Sequence, residues 1–238
     1  MLIKHHIHSK NCSFYEYGDS EEDFIENCKT QPDNWYWRSN PIRYSLNSDG
    51  YRCPEWEQID WANSILMFGC SYIFGSGVDD HQTIPSQLAL RFKRPVINLG
   101  IPGTSTMYQF MNTITLREHG IVPKAVIYSW PQSSRYTVVR HHDPLSINNY
   151  IVGLLGPALF SDIHNWTYLK YLRKSTDLLW PCPVFHLHCD FHIRHEDPNL
   201  LFIHPNVDIA RDLKHPGPRS LRHAAIRIFN MSKDPLGL

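Results

Sequence analysis

The stretch SILMFGCSYIFGSGV, residues 64–78, decides the fold. Ile65, Leu66, Met67 and Phe68 are four apolar residues in a row with no polar alternation. That pattern predicts a short strand buried on both faces, and Gly69 and Gly75 mark where it gives way to a turn. Strands of this kind belong to parallel sheets covered by helices on both sides. Ser71 therefore stands at the carboxyl end of a core strand, the end at which α/β sheets collect their ligands.

Reading outward, residues 83–92 predict a helix, with Thr83 as N-cap, Pro85 in the first turn, and Leu88 and Phe92 on one face. PVINLGI, residues 95–101, reads as a second strand, PGTS as a turn, and residues 105–119 as a helix. AVIYSW, residues 125–130, is the third strand, and a polar loop with Gln132, Ser133, Ser134 and Arg135 follows. Residues 143–179 read as mostly helical, broken near Gly153, Gly156 and Pro157. Residues 183–188 and 200–204 supply strands four and five. The last helix, residues 218–231, carries Leu221, Ala224, Ala225, Ile228 and Phe229 at helical spacing. Short apolar strands alternating with helices predict a three-layer α/β/α sandwich around a mainly parallel, five-stranded sheet. Residues 1–60 are polar, aromatic-rich and weakly periodic. They read as an irregular N-terminal extension, with one short helix around Glu21–Cys28, ahead of a main domain over residues 61–238.

The length of 238 residues suits one domain with a full core. Lys+Arg and Asp+Glu balance at 23 each, so net charge favours neither a nucleic acid nor an anionic membrane surface as partner. No apolar run approaches the roughly 18–20 residues of a membrane span. The opening MLIKHHIHSKN lacks the apolar centre of a secretion signal, and the six cysteines are scattered without a C-x-x-C pair. Both features fit synthesis in a reducing, cytoplasmic compartment. Twelve Tyr and seven Trp suggest an aromatic-rich surface or cleft beside their ordinary use in cores.

The chemistry begins with Ser71 and the sequence ARDLKHPGP, which holds Asp212 and His215. A serine nucleophile needs a base to take its proton and a carboxylate to hold that base in the right tautomer. A second cluster, FHLHCDFHIRH, contains His186, His188, Cys189, Asp190, His192 and His195. His186 and His188 would share one face of a strand, a spacing that metal ligands use. Fifteen histidines are spread along the chain, however, and this run passes from strand into loop, so neither a metal nor a cofactor is expected. His5, His6 and His8 read as a solvated end. Arg135, Arg140, His141 and His142 flank the loop after the third strand.

These blocks together resemble the SGNH (GDSL-type) hydrolases, over roughly residues 47–228. The resemblance implies a flavodoxin-like α/β/α fold and a Ser-His-Asp triad. The family's Gly-Asp-Ser block appears here as Gly69-Cys70-Ser71, which puts the nucleophile on Ser71 and replaces a non-triad acid by Cys70. FGCSYIFGSGVDDHQTIPSQL is similar to a variant of that block, and NSDGYR before it resembles a lead-in found in some members. The second block matches VINLGIPGTST. Aligned on Asn98, it puts the glycine N–H that helps bind the oxyanion on Gly103, with Gly100 as the alternative. The last block, Asp-x-x-His-Pro, falls on Asp212 and His215. In the third block the family's Asn is missing. Ser133 stands nearest its position, and Gln132 is the closer chemical substitute because its amide carries N–H donors.

The resemblance implies a serine esterase or acyl hydrolase acting on a small-molecule or carbohydrate ester. An O-acetylated carbohydrate is the slight favourite, because aromatic-rich flanks offer stacking faces for sugar rings. The alternative is an SGNH-like binding or structural module with weak or no catalysis, part of a larger assembly such as a virus particle.

Overall fold

The apolar run Ile65–Phe68 forms an inner strand of a parallel sheet, with every one of its side chains fully buried. The computed structural model describes residues 2, 10–15, 18–131, 135–140, 143–147, 162–188, 201–202 and 207–236. In chain order the strands are β1 (Asn11–Cys12), β2 (Tyr44–Ser45), β3 (Ile65–Gly69), β4 (Val96–Gly100), β5 (Ala125–Trp130), β6 (Tyr136–Arg140), β7 (Asp143–Ile147), β8 (Val184–His188) and β9 (Leu201–Phe202). The α-helices are α1 (Glu21–Thr30), α2 (Ser71–Phe74), α3 (Ile84–Phe92), α4 (Thr106–Glu118), α5 (Asp162–Leu179) and α6 (Pro218–Ser232).

The main sheet runs β4-β3-β5-β8-β9, with every pairing parallel. Numbered by their order in the chain, its strands follow 2-1-3-4-5, the flavodoxin-like arrangement. Four strands are five or six residues long, and the expected fifth is a two-residue pairing at the edge. After β3 the chain crosses to β4 on one side, and later to β5 on the other. The carboxyl end of β3, where Ser71 begins α2, is therefore the switch point of the sheet.

Alternate residues of β3 face opposite layers. Ile65 and Met67 pack with Ile84, Leu88 and Phe92 of α3 and Leu221, Ala224 and Ile228 of α6. Leu66 and Phe68 pack with Tyr108 and Leu116 of α4 and Leu169 of α5. Each such side chain, fully buried, contributes about 1.5–3 kcal/mol relative to exposure. Helix starts follow the sequence: Thr83 caps α3 by accepting from Ser86 N, and Ser105 caps α4 by accepting from Tyr108 N.

One expectation changes. Residues 143–147, expected to be helical, form strand β7, paired antiparallel with β6. Pro144 cannot donate a helical hydrogen bond, and the β-branched run in β6 (Thr137, Val138, Val139) offers it a partner strand instead. Gly153, Gly156 and Pro157 lie outside the described residues. The N-terminal segment holds the ten-residue helix α1 and places Tyr15, Trp37, Ile42, Tyr44 and Leu46 in one core layer and Tyr51, Trp56 and Ile59 in the other. It is built into the same core as the sheet.

Candidate active site

Ser71 is buried at the first position of α2, so its own N–H has no partner within the helix. Two glycines let α2 sit this low on the sheet. A Cβ at Gly69 would meet the Ile73 side chain at 2.2 Å, and one at Gly100 would meet Phe74 N at 2.4 Å. Asn98 completes the seat: its amide donates to Ile73 O at 2.9 Å and its oxygen accepts from Gly100 N at 3.0 Å.

Asp212 and His215 come from the loop between residues 207 and 217. Asp212 is buried, and its Oδ1 accepts from the backbone N–H of both Lys214 and His215 at 3.0 Å. Its Oδ2 pairs with His215 Nδ1. The loop is closed by Ala210 N donating to His215 O at 2.9 Å, and by Leu213, which adopts a left-handed φ of 57°. The imidazole lies against the N-terminus of α2. The ring of Tyr72, next to Ser71, meets it nearly edge-on with centroids 5.8 Å apart. The carboxylate pairs with Nδ1, which leaves Nε2 as the nitrogen free to take a proton from outside the pair.

A buried network ties this loop to α2. Arg211 N donates to Gly77 O at 3.0 Å, and Gly77 N donates to Tyr44 Oη at 2.8 Å. Tyr44 Oη donates to Asp19, which also accepts from Arg211 Nε at 3.0 Å and Nη2 at 2.7 Å. Burial is the first cause that pushes the Asp19 carboxyl above its usual range, against the lowering effect of Arg211. Burial likewise raises the Tyr44 hydroxyl well above its ordinary value. Helix α1 joins in, with Asn27 Nδ2 donating to Arg211 O at 3.1 Å. At the other end of α2, Arg52 donates to the carbonyls of Phe74 at 3.1 Å, Gly75 at 2.7 Å and Val78 at 2.9 Å, while its Nε pairs with Asp80.

Gly103 sits in the turn after β4 with a φ of 75° and open space where a Cβ would be. Gly100, the alternative for the oxyanion role, is occupied in packing under α2. Gln132 and Ser133 lie outside the described residues. Arg135, just beyond them, has its Nη1 enclosed without a hydrogen-bond partner among the described residues. His186 Nδ1 accepts from Trp130 Nε1 at 3.0 Å, which leaves Nε2 to donate to Asp177 at 2.8 Å. Both of its nitrogens are therefore used within the fold. His188 is fully buried, and Cys189, Asp190, His192 and His195 lie outside the described residues. Among the described residues nine Tyr and Trp side chains are core, Tyr51, Trp56, Tyr128, Trp130 and Trp180 among them, while Tyr36, Tyr168 and Tyr171 are exposed. A cavity of about 480 Å³ opens near the far end of α2, lined by Asn47, Arg52, Glu55 and Asp80 among others, and neither Ser71 nor His215 lines it.

No protein-family model matches this chain, and no curated protein matches it in sequence. Solved structures do match. The crystal structure of TesA aligns over 72% of this chain and 99% of its own at 14% identity, with a TM-score of 0.50. The fold is that of the SGNH hydrolases. A member of the lipolytic G-D-S-L family from Veillonella parvula matches 70% of this chain and 96% of its own at 10% identity, with a TM-score of 0.42. Esterase EstA from Pseudoalteromonas sp. matches 74% of this chain and all of its own at 15% identity, with a TM-score of 0.46. At these identities the chain is a divergent example of the SGNH fold. Gly69-Cys70-Ser71, the stretch that resembles the first SGNH block, ends β3 and opens α2. Asp212-Leu213-Lys214-His215, which resembles the last, precedes α6.

Sequence reasoning missed Asp19, Tyr44, Tyr72 and Arg211 as parts of this site. Arg52 belongs to NSDGYR, the one signal available for it. Nothing in the chain marks Asp19 as the partner of an arginine 192 positions away.

Proposed function

We propose that this protein hydrolyses esters through Ser71, His215 and Asp212. The observation that carries the reading is the Asp212–His215 pair, held with its imidazole against Tyr72, next to a buried serine at the switch point of an SGNH-fold sheet. His215 Nε2 takes the Ser71 hydroxyl proton as Oγ attacks the ester carbonyl carbon. Asp212 holds the Nδ1–H tautomer and stabilises the imidazolium that forms. The N–H groups of Ser71 and Gly103 hold the oxyanion, with Gln132 or Ser133 as the third donor in place of the family's Asn. His215 gives its proton to the leaving alcohol. Water, deprotonated by the same ring, then releases the acid from the acyl-enzyme and restores Ser71.

The substrate class is a carboxylic ester. Nine of the fifteen Tyr and Trp whose burial is described lie in the core, so the preference for an acetylated carbohydrate loses part of its support.

Labelling with a fluorophosphonate probe and turnover of p-nitrophenyl acetate test the reading. Ser71→Ala removes labelling and turnover, and Asp212→Asn lowers kcat by about 10⁴-fold. A wild-type protein that neither labels nor turns over is instead a non-catalytic module on this fold. Turnover that survives Ser71→Ala places the chemistry elsewhere.

A further inference from the structure

Helices α3 and α6 lie side by side on one face of the sheet, joined through Phe92 and Phe229 with ring centroids 5.2 Å apart. Residues 83–94 contain Arg91, Lys93 and Arg94, and residues 218–233 contain Arg219, Arg222, Arg227 and Lys233, with no Asp or Glu in either span. The chain as a whole has no net charge, so these two spans concentrate seven cations that the overall balance conceals, with Asp208, which accepts from Arg219 N at 2.9 Å, as the acid set at the start of α6. Arg91, Lys93, Arg94, Arg219, Arg222 and Lys233 form no ion pair among the described residues.

The outer face of α6 follows from its helical spacing. Leu221, Ala224, Ala225 and Ile228 are buried, while Arg219, Arg222, His223, Ile226, Arg227 and Met231 are exposed. Apolar side chains stand among the cations: Leu90 is 73% exposed, Ile226 37% and Met231 40%. Arg94 also lines a cavity of about 200 Å³ together with Lys124, enough room for a phosphate group.

We propose that the α3–α6 face docks on an anionic phospholipid bilayer. The cations match the negative charge of the headgroups, and Leu90, Ile226 and Met231 enter the boundary between headgroups and acyl chains. Leu90, Ile226 and Met231 favour a bilayer over a nucleic acid, because phosphate contacts alone would leave these apolar side chains in water. The same face of a second copy is repelled by like charge. The docking is independent of what Ser71 does.

Co-sedimentation of the full chain with phosphatidylcholine vesicles, with and without a third of the lipid replaced by phosphatidylserine, tests the proposal. The chain binds the anionic vesicles at least tenfold more tightly than the neutral ones, and high salt weakens that binding. Each cation near an anionic surface changes binding by roughly fivefold, so Arg219→Glu with Arg222→Glu lowers it by at least tenfold. Leu90→Ser with Ile226→Ser lowers it severalfold. Thermal melting checks that both variants fold, and Arg219→Gln with Arg222→Gln replaces the charge reversal if that variant melts early. Equal binding to neutral vesicles, or anionic binding untouched by the arginine substitutions, overturns the proposal. So does arginine-dependent binding to duplex DNA that is tighter than binding to the vesicles.

Discussion

The loop over residues 208–217 and the turn over residues 101–105 both lie at the carboxyl end of the sheet, and they are held in opposite ways. The first is tied to distant parts of the chain: Arg211 reaches Asp19, Asn27 reaches Arg211, and Gly77 meets it from the end of α2. The turn is held locally, by Thr104 Oγ1 donating to Ile101 O at 2.8 Å and by Ser105 capping α4. The difference follows from what each segment offers. The loop that carries the Asp212–His215 pair also buries Arg211 against Asp19, and buried charges require partners from wherever the chain can bring them. The turn buries no charge and needs only a left-handed glycine and a helix cap.

Removing a partner from the buried network should have the largest effect. Arg211→Met leaves Asp19 buried without its cation and should cost about 3–5 kcal/mol of stability, read by denaturant unfolding at neutral pH. A loss within experimental error would mean that the loop keeps its shape without the N-terminal segment. The two glycines of the second block come next. Gly100→Ala drives a Cβ into the backbone of α2 and should cost about 1–3 kcal/mol or more. Gly103→Ala meets no atom and should cost only about 1–2 kcal/mol, from its left-handed φ. Equal losses in stability would erase the distinction between a packed strand end and an open turn.

The smallest effect belongs to an exposed clip on the same N-terminal segment. Lys10 first, then the Ser48 hydroxyl and backbone N–H, hold the Glu55 carboxyl down to about 2 from an ordinary 4.5. A lowered carboxylate adds stability above its unfolded value and loses it as pH falls through the folded one. The stability advantage of wild type over Glu55→Gln should therefore be full above about pH 4.5 and shrink toward pH 2. An advantage that stays level across that window would mean that the clip is not formed in solution.

Much of the fold was legible because burial on both faces writes itself as an apolar run. β3, β4, β5 and β8 fall within a residue or so of their expected bounds, and Thr83 caps its helix as its hydroxyl predicted. Residues 143–147 were misread because a short segment has no strong helical periodicity. Its strand state depends on a partner, β6, that local pattern did not reveal. The pairing of Asp212 with His215 was legible because i, i+3 residues in a tight loop can meet. The supports around them were not, because Asp19 and Tyr44 reach the loop only through the packing of the N-terminal segment.

Sequence alone determined the α/β class, the order of its elements, and the three residues Ser71, Asp212 and His215 as one candidate constellation. These rest on local causes, namely hydrophobic period, turn chemistry and the spacing of a carboxylate from its histidine. Tertiary structure alone decided which glycine carries α2 and which stands open, and that His186 is committed to Trp130 and Asp177. It also decided that the cations of α3 and α6 share one face, although the chain is neutral. Those outcomes depend on which distant segments pack together, and a chain read residue by residue carries no record of its neighbours in space.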